Sequence, residues 1–172
     1  MLYEVVSSQS GEKRVKTTIH IKRASSKKEM VQAYDIRMRV FVQEQGVPVE
    51  IELDRDDKRA IHFLALASAK PAGTVRLVMR RGAAKIGRMA VLKTFRRKGV
   101  GKTLLKRAIA TAKKLRAKKI YLHAQVAVTG FYEKQNFRCA GPIFDEAGIP
   151  HRKMVLKNKK ADSKSGKSAR KK

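Results

Sequence analysis

The stretch from residue 83 to residue 125 constrains the fold most, because it sets a pair of glycines between a strand and a long amphipathic helix. Residues 83–91 read as a strand, and Gly99 and Gly101 open a helix whose apolar positions recur at helical spacing. A further strand follows the helix. Successive backbone amides in such a loop, with the positive end of the helix dipole, form a cradle suited to a diphosphate.

The flanking segments predict a mixed α/β sheet with helices on its faces. Residues 17–23 alternate like a strand, and residues 61–80 fit a β-hairpin that leads into the strand at 83–91. Between them, Ser25 or Ser26 can cap a helix. The apolar positions that recur at helical spacing in that helix are Met30, Val31, Tyr34, Met38 and Phe41.

Length and composition predict one domain over residues 19–156, preceded by an N-terminal extension of residues 1–18. Residues 157–172 are a basic tail without apolar side chains to bury, and we expect them to be disordered. No apolar run reaches 18 residues, which excludes a transmembrane helix. The single Cys139 excludes an internal disulfide and a cysteine-rich zinc site, and the chain reads as cytoplasmic.

Charge is the second strong constraint. Lys and Arg number 42 against 14 Asp and Glu, so the formal net charge is +28. A domain this basic is expected to attract polyanions such as RNA through counterion release. The alternative interpretation is a general solubility device.

The acidic residues cluster. Six of the fourteen lie within residues 44–57, where only Arg55 opposes them. One interpretation is a site that attracts an amine or a metal cation. The other is a solvated loop paired with nearby lysines. The six are Glu44, Glu50, Glu52, Asp54, Asp56 and Asp57.

Three known kinds of phosphate-binding loop are candidates for residues 96–103. A P-loop needs a glycine where Arg96 stands, and a dinucleotide fingerprint needs Gly or Ala where Leu104 stands. The spacing Arg96-x-x-Gly99-x-Gly101 instead resembles the acyl-CoA pyrophosphate loop of the GNAT N-acetyltransferase superfamily. A glycine helix start without any ligand is the remaining alternative.

The surrounding sequence strengthens that resemblance over roughly residues 19–156. Residues 130–137 (GFYEKQNF) look like the superfamily's FYEKxGF helix, although Asn136 stands where glycine is usual. Residues 37–45 (RMRVFVQEQ), with Val47 and Asp54, resemble the R-x-x-VFV-x-EQ stretch of the ElaA/YjcF-like branch. The resemblance implies a three-layer αβα acyl-CoA N-acyltransferase fold with a splayed central sheet.

The resemblance also implies an activity, namely transfer of an acetyl group from acetyl-CoA to an amine acceptor by direct attack in a ternary complex, without a metal. Acetyl-CoA would enter between the strands ending at Val91 and Gln125, and Tyr132 would protonate the departing sulfur. Arg96 would fix the loop or contact a phosphate. The residues expected to bind the co-substrate are Met89, Ala90, Val91, Arg96, Arg97, Lys98, Gly99, Val100, Gly101, Lys102, Gln125 and Tyr132.

The general base is left open among Glu44, Glu50, Asp54 and His123, with Glu44 and Asp54 taken as the catalytic candidates. An alternative function is a basic module that binds RNA or ribosomes on an acetyltransferase-like scaffold; a membrane-surface protein is a weaker third. Candidate partners are therefore an amine acceptor, RNA or another polyanion, and a second copy of the chain as a homodimer.

Overall fold

The structure, a computed structural model, describes residues 2–4 and 17–157. The predicted disorder of the basic tail therefore concerns residues that, apart from Lys157, lie outside the described part. The chain divides into two compact units, residues 1–120 and residues 121–172. The domain limits at residues 19 and 156 stay a prediction.

The first unit contains a sheet in which each strand pairs antiparallel with the next one along the chain. The strand at residues 2–4 lies in the predicted N-terminal extension and pairs with β2. The hairpin predicted for residues 61–80 is present as β3 and β4. The strands are β1 (Leu2–Glu4), β2 (Thr18–Arg23), β3 (Ile61–Ala67), β4 (Lys70–Arg80) and β5 (Ala83–Val91).

The two longest helices of this unit begin at the predicted signals, whereas the four-residue helix at Val49–Glu52 was not predicted. Ser26 caps the first helix, and its hydroxyl accepts a hydrogen bond from the Glu29 amide while the Glu29 carboxylate accepts from the Ser26 amide. Single 3-10 turns at Arg55–Arg59 and Lys93–Phe95 connect helices to strands. The helices are α1 (Lys27–Arg37), a π-helical continuation (Met38–Glu44), α2 (Val49–Glu52) and α3 (Val100–Lys114).

Helices α1 and α3 cover opposite faces of the sheet. Ile36 of α1 packs in one cluster with Leu64 of β3, whereas Arg107 of α3 lies over the ring of Phe63. Consecutive strand residues point to opposite faces, so the unit has three layers. This agrees with the predicted mixed α/β fold.

The apolar positions that predicted this helix differ in burial. Met30 and Phe41 are partly buried and pack against the core cluster of Ile36, Val40 and Leu64, whereas Val31 is 59% exposed. The helical spacing did not show that Arg37 is fully buried.

The second unit is a three-stranded antiparallel sheet with a short helix. Its strands are β6 (Lys119–Gln125), β7 (Phe137–Glu146) and β8 (Ile149–Leu156), and β8 pairs with both of the others. Helix α4 (Thr129–Glu133) follows a 3-10 turn at Val126–Val128. Asn136, the departure from the glycine usual there, has a φ of +65°, a conformation that asparagine tolerates.

Candidate functional site

The loop before α3 presents backbone amides that the protein itself does not use. Gly99 precedes the helix in the left-handed conformation (φ +82°), and no side chain caps the helix. In the described part of the chain, no amide from Arg97 to Lys102 donates a hydrogen bond to a protein acceptor. The first amide of α3 that is satisfied belongs to Thr103, which donates to the Gly99 carbonyl at 3.0 Å. Several amides are therefore free for an anion at the positive end of a fifteen-residue helix.

Arg96 anchors this loop to the end of β5 and to the π-helical turn. Its Nε donates to the carbonyl of Val91 at 2.9 Å, and its two terminal nitrogens donate to the two carboxylate oxygens of Glu44 at 2.6 Å each. Each of the three guanidinium nitrogens is thus engaged in a hydrogen bond, and the side chain connects the end of β5, the loop and the π-helical turn. This geometry fits the first of its two predicted roles.

Strand β5 contains an irregularity directly before the predicted co-substrate contacts. Thr74 pairs with Ala90 but Arg76 pairs with Gly87, so β5 has one residue more than β4 at this point. The extra residue leaves Arg88 with a φ of +48°, which is uncommon for a non-glycine residue. Met89 and Val91 are half-buried beyond the bulge, while Ala90 packs into the α1-side core.

The acidic segment of residues 44–57 is paired with arginines of the same unit. Three arginines from α1, β4 and β5 converge on it: Arg37 contacts Glu52 (2.5 Å) and Asp57 (2.8 Å), and Arg76 contacts Asp57 at 2.8 Å. Arg88 contacts Glu52 at 2.9 Å and also donates to two backbone carbonyls of the segment. These contacts favour the second interpretation, an acidic segment paired within the fold, although its partners are arginines rather than lysines.

Both carboxylates chosen as catalytic candidates are held by arginine. The hydrogen bonds from Arg96 lower the pKa of Glu44. Burial alone would raise the pKa of Asp54, but two bonds from Arg76 (2.7 and 2.9 Å) outweigh it and the net pKa is lowered. A carboxylate stabilised in its charged form is a weak proton acceptor. The geometry therefore does not favour Glu44 or Asp54 as the base.

Tyr132 lies in α4 of the second unit and is 8% exposed. Its ring makes edge contacts with Phe131 at 5.0 Å and Phe137 at 6.1 Å between centroids. Burial raises the pKa of its hydroxyl above the usual range, so the group stays protonated at any physiological pH. In the described residues no hydrogen bond from this hydroxyl is found, which leaves it available as a donor.

One residue of the second unit escaped the sequence analysis. Glu146 lies at the end of β7, and its Oε2 is 2.9 Å from Nδ1 of His123, one of the base candidates on β6. Gln125, a predicted co-substrate contact, closes the same strand and pairs with His151. Nothing in the linear pattern pointed to Glu146, because the pair is 23 positions apart.

In the part of the chain that the structure describes, no group of three or more His, Cys, Asp or Glu side chains is arranged to hold a metal ion. Nor is any helix in that part of the chain long and apolar enough to cross a membrane.

The three-layer unit with its uncapped glycine loop belongs to a known class. Residues 12–158 match the Acetyltransferase (GNAT) domain family, and the chain belongs to that family. Acyl transfer from acyl-CoA is the chemistry of the family, which makes this protein an acyltransferase.

The chain falls in the ElaA/YjcF-like branch. It is 35% identical over 133 residues to an uncharacterized N-acetyltransferase, YjcF, of Bacillus subtilis (strain 168), covering 77% of this chain and 95% of that protein. The crystal structure of Escherichia coli ElaA has the same fold, with a TM-score of 0.73 and 24% identity over 81% of this chain and 99% of that one. A Bacillus subtilis acetyltransferase solved in complex with CoA aligns with a TM-score of 0.59 and 23% identity, covering 81% and 99%.

Proposed function

We propose that this chain transfers an acetyl group from acetyl-CoA to an amine by direct attack in a ternary complex, in the cytoplasm. The observation that carries the proposal is the set of free amides from Arg97 to Lys102 at the left-handed Gly99. They suit the two phosphates of a CoA pyrophosphate, which need several donors close together. The loop's lysine and arginine side chains add attraction that salt would screen.

Backbone groups would bind the co-substrate, and side chains would carry out the proton transfer. The strand residues Met89 to Val91 would bind the pantetheine arm through backbone groups, and Gln125 would contact the co-substrate or the acceptor. Tyr132 would give its proton to the CoA sulfur as the carbon–sulfur bond breaks. Burial keeps that hydroxyl protonated, and this is the property that a proton donor needs.

Calorimetry with CoA at moderate salt tests the loop. Gly99→Glu combined with Gly101→Glu places two carboxylates where the pyrophosphate would lie, and we expect CoA affinity to fall at least about thirtyfold, roughly 2 kcal/mol. A matched variant with Gly130→Glu combined with Gly148→Glu adds the same charge at exposed glycines of the second unit and should bind like the parent. Equal affinities of the parent and the loop variant would refute the assignment.

A second function is favoured by one further feature. Residues 93–119 contain twelve basic residues and no acidic one. Among the residues that the structure describes, Arg96 is the only one of these twelve for which an ion pair is found. Ten of the twelve are exposed, so their charge faces solvent uncompensated. We propose that this basic segment of residues 93–119 binds RNA alongside the acyl-transfer site, through phosphates rather than bases.

Fluorescence anisotropy with oligouridylate at several salt concentrations tests RNA binding. Changing Lys106, Lys113 and Lys114 to Glu should flatten the salt dependence, because about 0.7 counterions are released per phosphate contact with a single strand. Changing Lys27, Lys28 and Lys58 to Glu alters the net charge equally and should leave the slope near that of the parent. If both triple variants lose the same slope, the segment is not a binding surface and only overall charge acts. Removal of residues 157–172 separately measures how much the tail contributes to RNA binding.

A further inference from the structure

We propose that His123, oriented by Glu146, is the general base that takes the proton of the attacking amine. This inference rests on the proposed acetyl transfer and deepens it by naming the residue that the sequence left open. Of the four base candidates, Glu44 and Asp54 are held by arginines that stabilise their charged forms. Glu50 is exposed on the four-residue helix α2, where nothing in the described residues orients its carboxylate.

The contact between His123 and Glu146 defines the tautomer. The Glu146 carboxylate can only accept a hydrogen bond when ionised, so Nδ1 of His123 carries the proton and Nε2 carries the lone pair. A carboxylate in this position also stabilises the imidazolium that forms when Nε2 accepts a proton. Glu146 is thus a positioning residue and His123 the catalytic residue.

Packing holds the ring but leaves Nε2 open. Phe144 contacts the imidazole edge-on at 4.9 Å, and Tyr121 flanks it at 6.1 Å between centroids. A quarter of the His123 side chain is exposed, and Nε2 is not among the buried unpartnered nitrogens of the described residues. Among the described residues no hydrogen bond to Nε2 is found, which leaves its lone pair for a substrate amine.

The charged and titratable neighbours of the ring are few. On the same face of the second unit's sheet, Lys153 of β8 pairs across from His123 and places its Nζ over the Tyr121 ring at 5.1 Å. His151 of β8 stacks on Phe144 at 6.2 Å between ring centroids, and its Nδ1 contacts the carbonyl of Ile149. Glu146 is therefore the acid of this unit found in contact with the ring.

The reaction balances without any further reactant. The lone pair of the acceptor amine forms a bond to the thioester carbonyl carbon while Nε2 of His123 removes a proton from that nitrogen. The carbon–sulfur bond then breaks, the sulfur takes a proton from Tyr132, and the products are an N-acetyl amine and CoA thiol. His123 returns its proton to solvent and Tyr132 regains one, which restores the starting state.

Steady-state kinetics against pH tests the base. The parent is assayed for CoA thiol release with spermidine, a lysine-containing peptide and β-phenethylamine as probe amines, and the best is kept. His123→Gln should lower kcat about a hundredfold near neutral pH and remove the acid limb of the kcat/KM profile, with the KM for acetyl-CoA unchanged. Its activity should recover toward high pH, where solvent deprotonates the amine instead.

Two further variants separate catalysis from packing. Glu146→Gln should lower kcat about tenfold or more, because the amide can select the wrong tautomer. His151→Gln changes a histidine on the same face and should retain the profile of the parent. If His123→Gln keeps its acid limb or changes only KM, the assignment of the base is overturned while acetyl transfer stands. If the parent neither binds CoA in calorimetry nor transfers acetyl groups, the proposed function is overturned and this inference with it.

Discussion

Replacing Arg37 by alanine is expected to lower the free energy of unfolding by about 3–5 kcal/mol. Arg37 is fully buried, and its guanidinium satisfies Glu52, which is 3% exposed, and Asp57, which is 8% exposed. Without it, two carboxylates remain in the core with less positive charge to balance them. Urea unfolding followed by circular dichroism measures the effect.

Arg39→Ala is the matched control, because it removes an arginine two residues further along the same helical segment. Arg39 pairs with Asp35 on the surface, where both side chains are more than half exposed, and its loss should change stability by less than about 1 kcal/mol. Similar losses in the two variants would contradict a special role for the buried network. Restoring stability in Arg37→Met by adding Glu52→Gln and Asp57→Asn would support it further, since no buried charge would then lack a partner.

The same network predicts how stability depends on pH. Burial would raise the pKa of Asp57, but hydrogen bonds from Arg37 and Arg76 outweigh it and lower the pKa from 3.8 to about 2. A lowered pKa stabilises the folded state above the unfolded value, and this contribution is lost as pH falls through the folded value. The parent should therefore lose stability between about pH 4 and pH 2, and Arg37→Ala should lose less over that range.

Features of the fold that depend on neighbouring residues could be predicted from the sequence. The capping box of Ser26 and Glu29 spans four residues, and the hairpin of β3 and β4 is set by a short turn and alternating side chains. The glycines at the start of α3 likewise act through their own backbone. Local rules suffice for such elements.

Burial of charge could not be predicted, because it depends on partners far along the chain. Arg37 finds its carboxylates 15 and 20 positions away, and an apolar pattern assigns a lone arginine to the solvent side. The sequence therefore showed the acidic segment without its counter-charges, and a site for a cation stayed open as one of its two interpretations.

Irregular strand pairing is the reason that the contact between Glu146 and His123 could not be predicted. Pairing of β7 with β8 shifts between Cys139 and Ile143, where β7 holds two more residues than its partner. In a regular ladder Phe144, rather than Glu146, would stand opposite Ile149. Gly141, with a φ of +89°, and Pro142 lie inside this stretch and mark an irregular strand. They do not specify how many residues the ladder skips, so His123 appeared without its carboxylate.

Removing one oxygen atom in Tyr132→Phe is expected to lower kcat about a hundredfold while CoA affinity stays within about twofold. The ring of phenylalanine keeps the contacts with Phe131 and Phe137, so the packing of α4 is retained. What is lost is the donor whose pKa burial has raised, and the CoA sulfur must then leave as an unprotonated thiolate. Single-turnover kinetics with acetyl-CoA and calorimetry with CoA separate the two quantities.

Tyr121→Phe makes the same chemical change on β6, where the ring lies beneath Lys153, and it should retain at least about half of kcat. A thiol ester of a more acidic thiol provides the decisive comparison, because a good leaving group needs no proton. Tyr132→Phe should then approach the rate of the parent. If the variant is equally slow with acetyl-CoA and with this second thioester, the hydroxyl positions the substrate instead of donating a proton. If the variant is as fast as the parent with acetyl-CoA, Tyr132 serves only the core of the second unit.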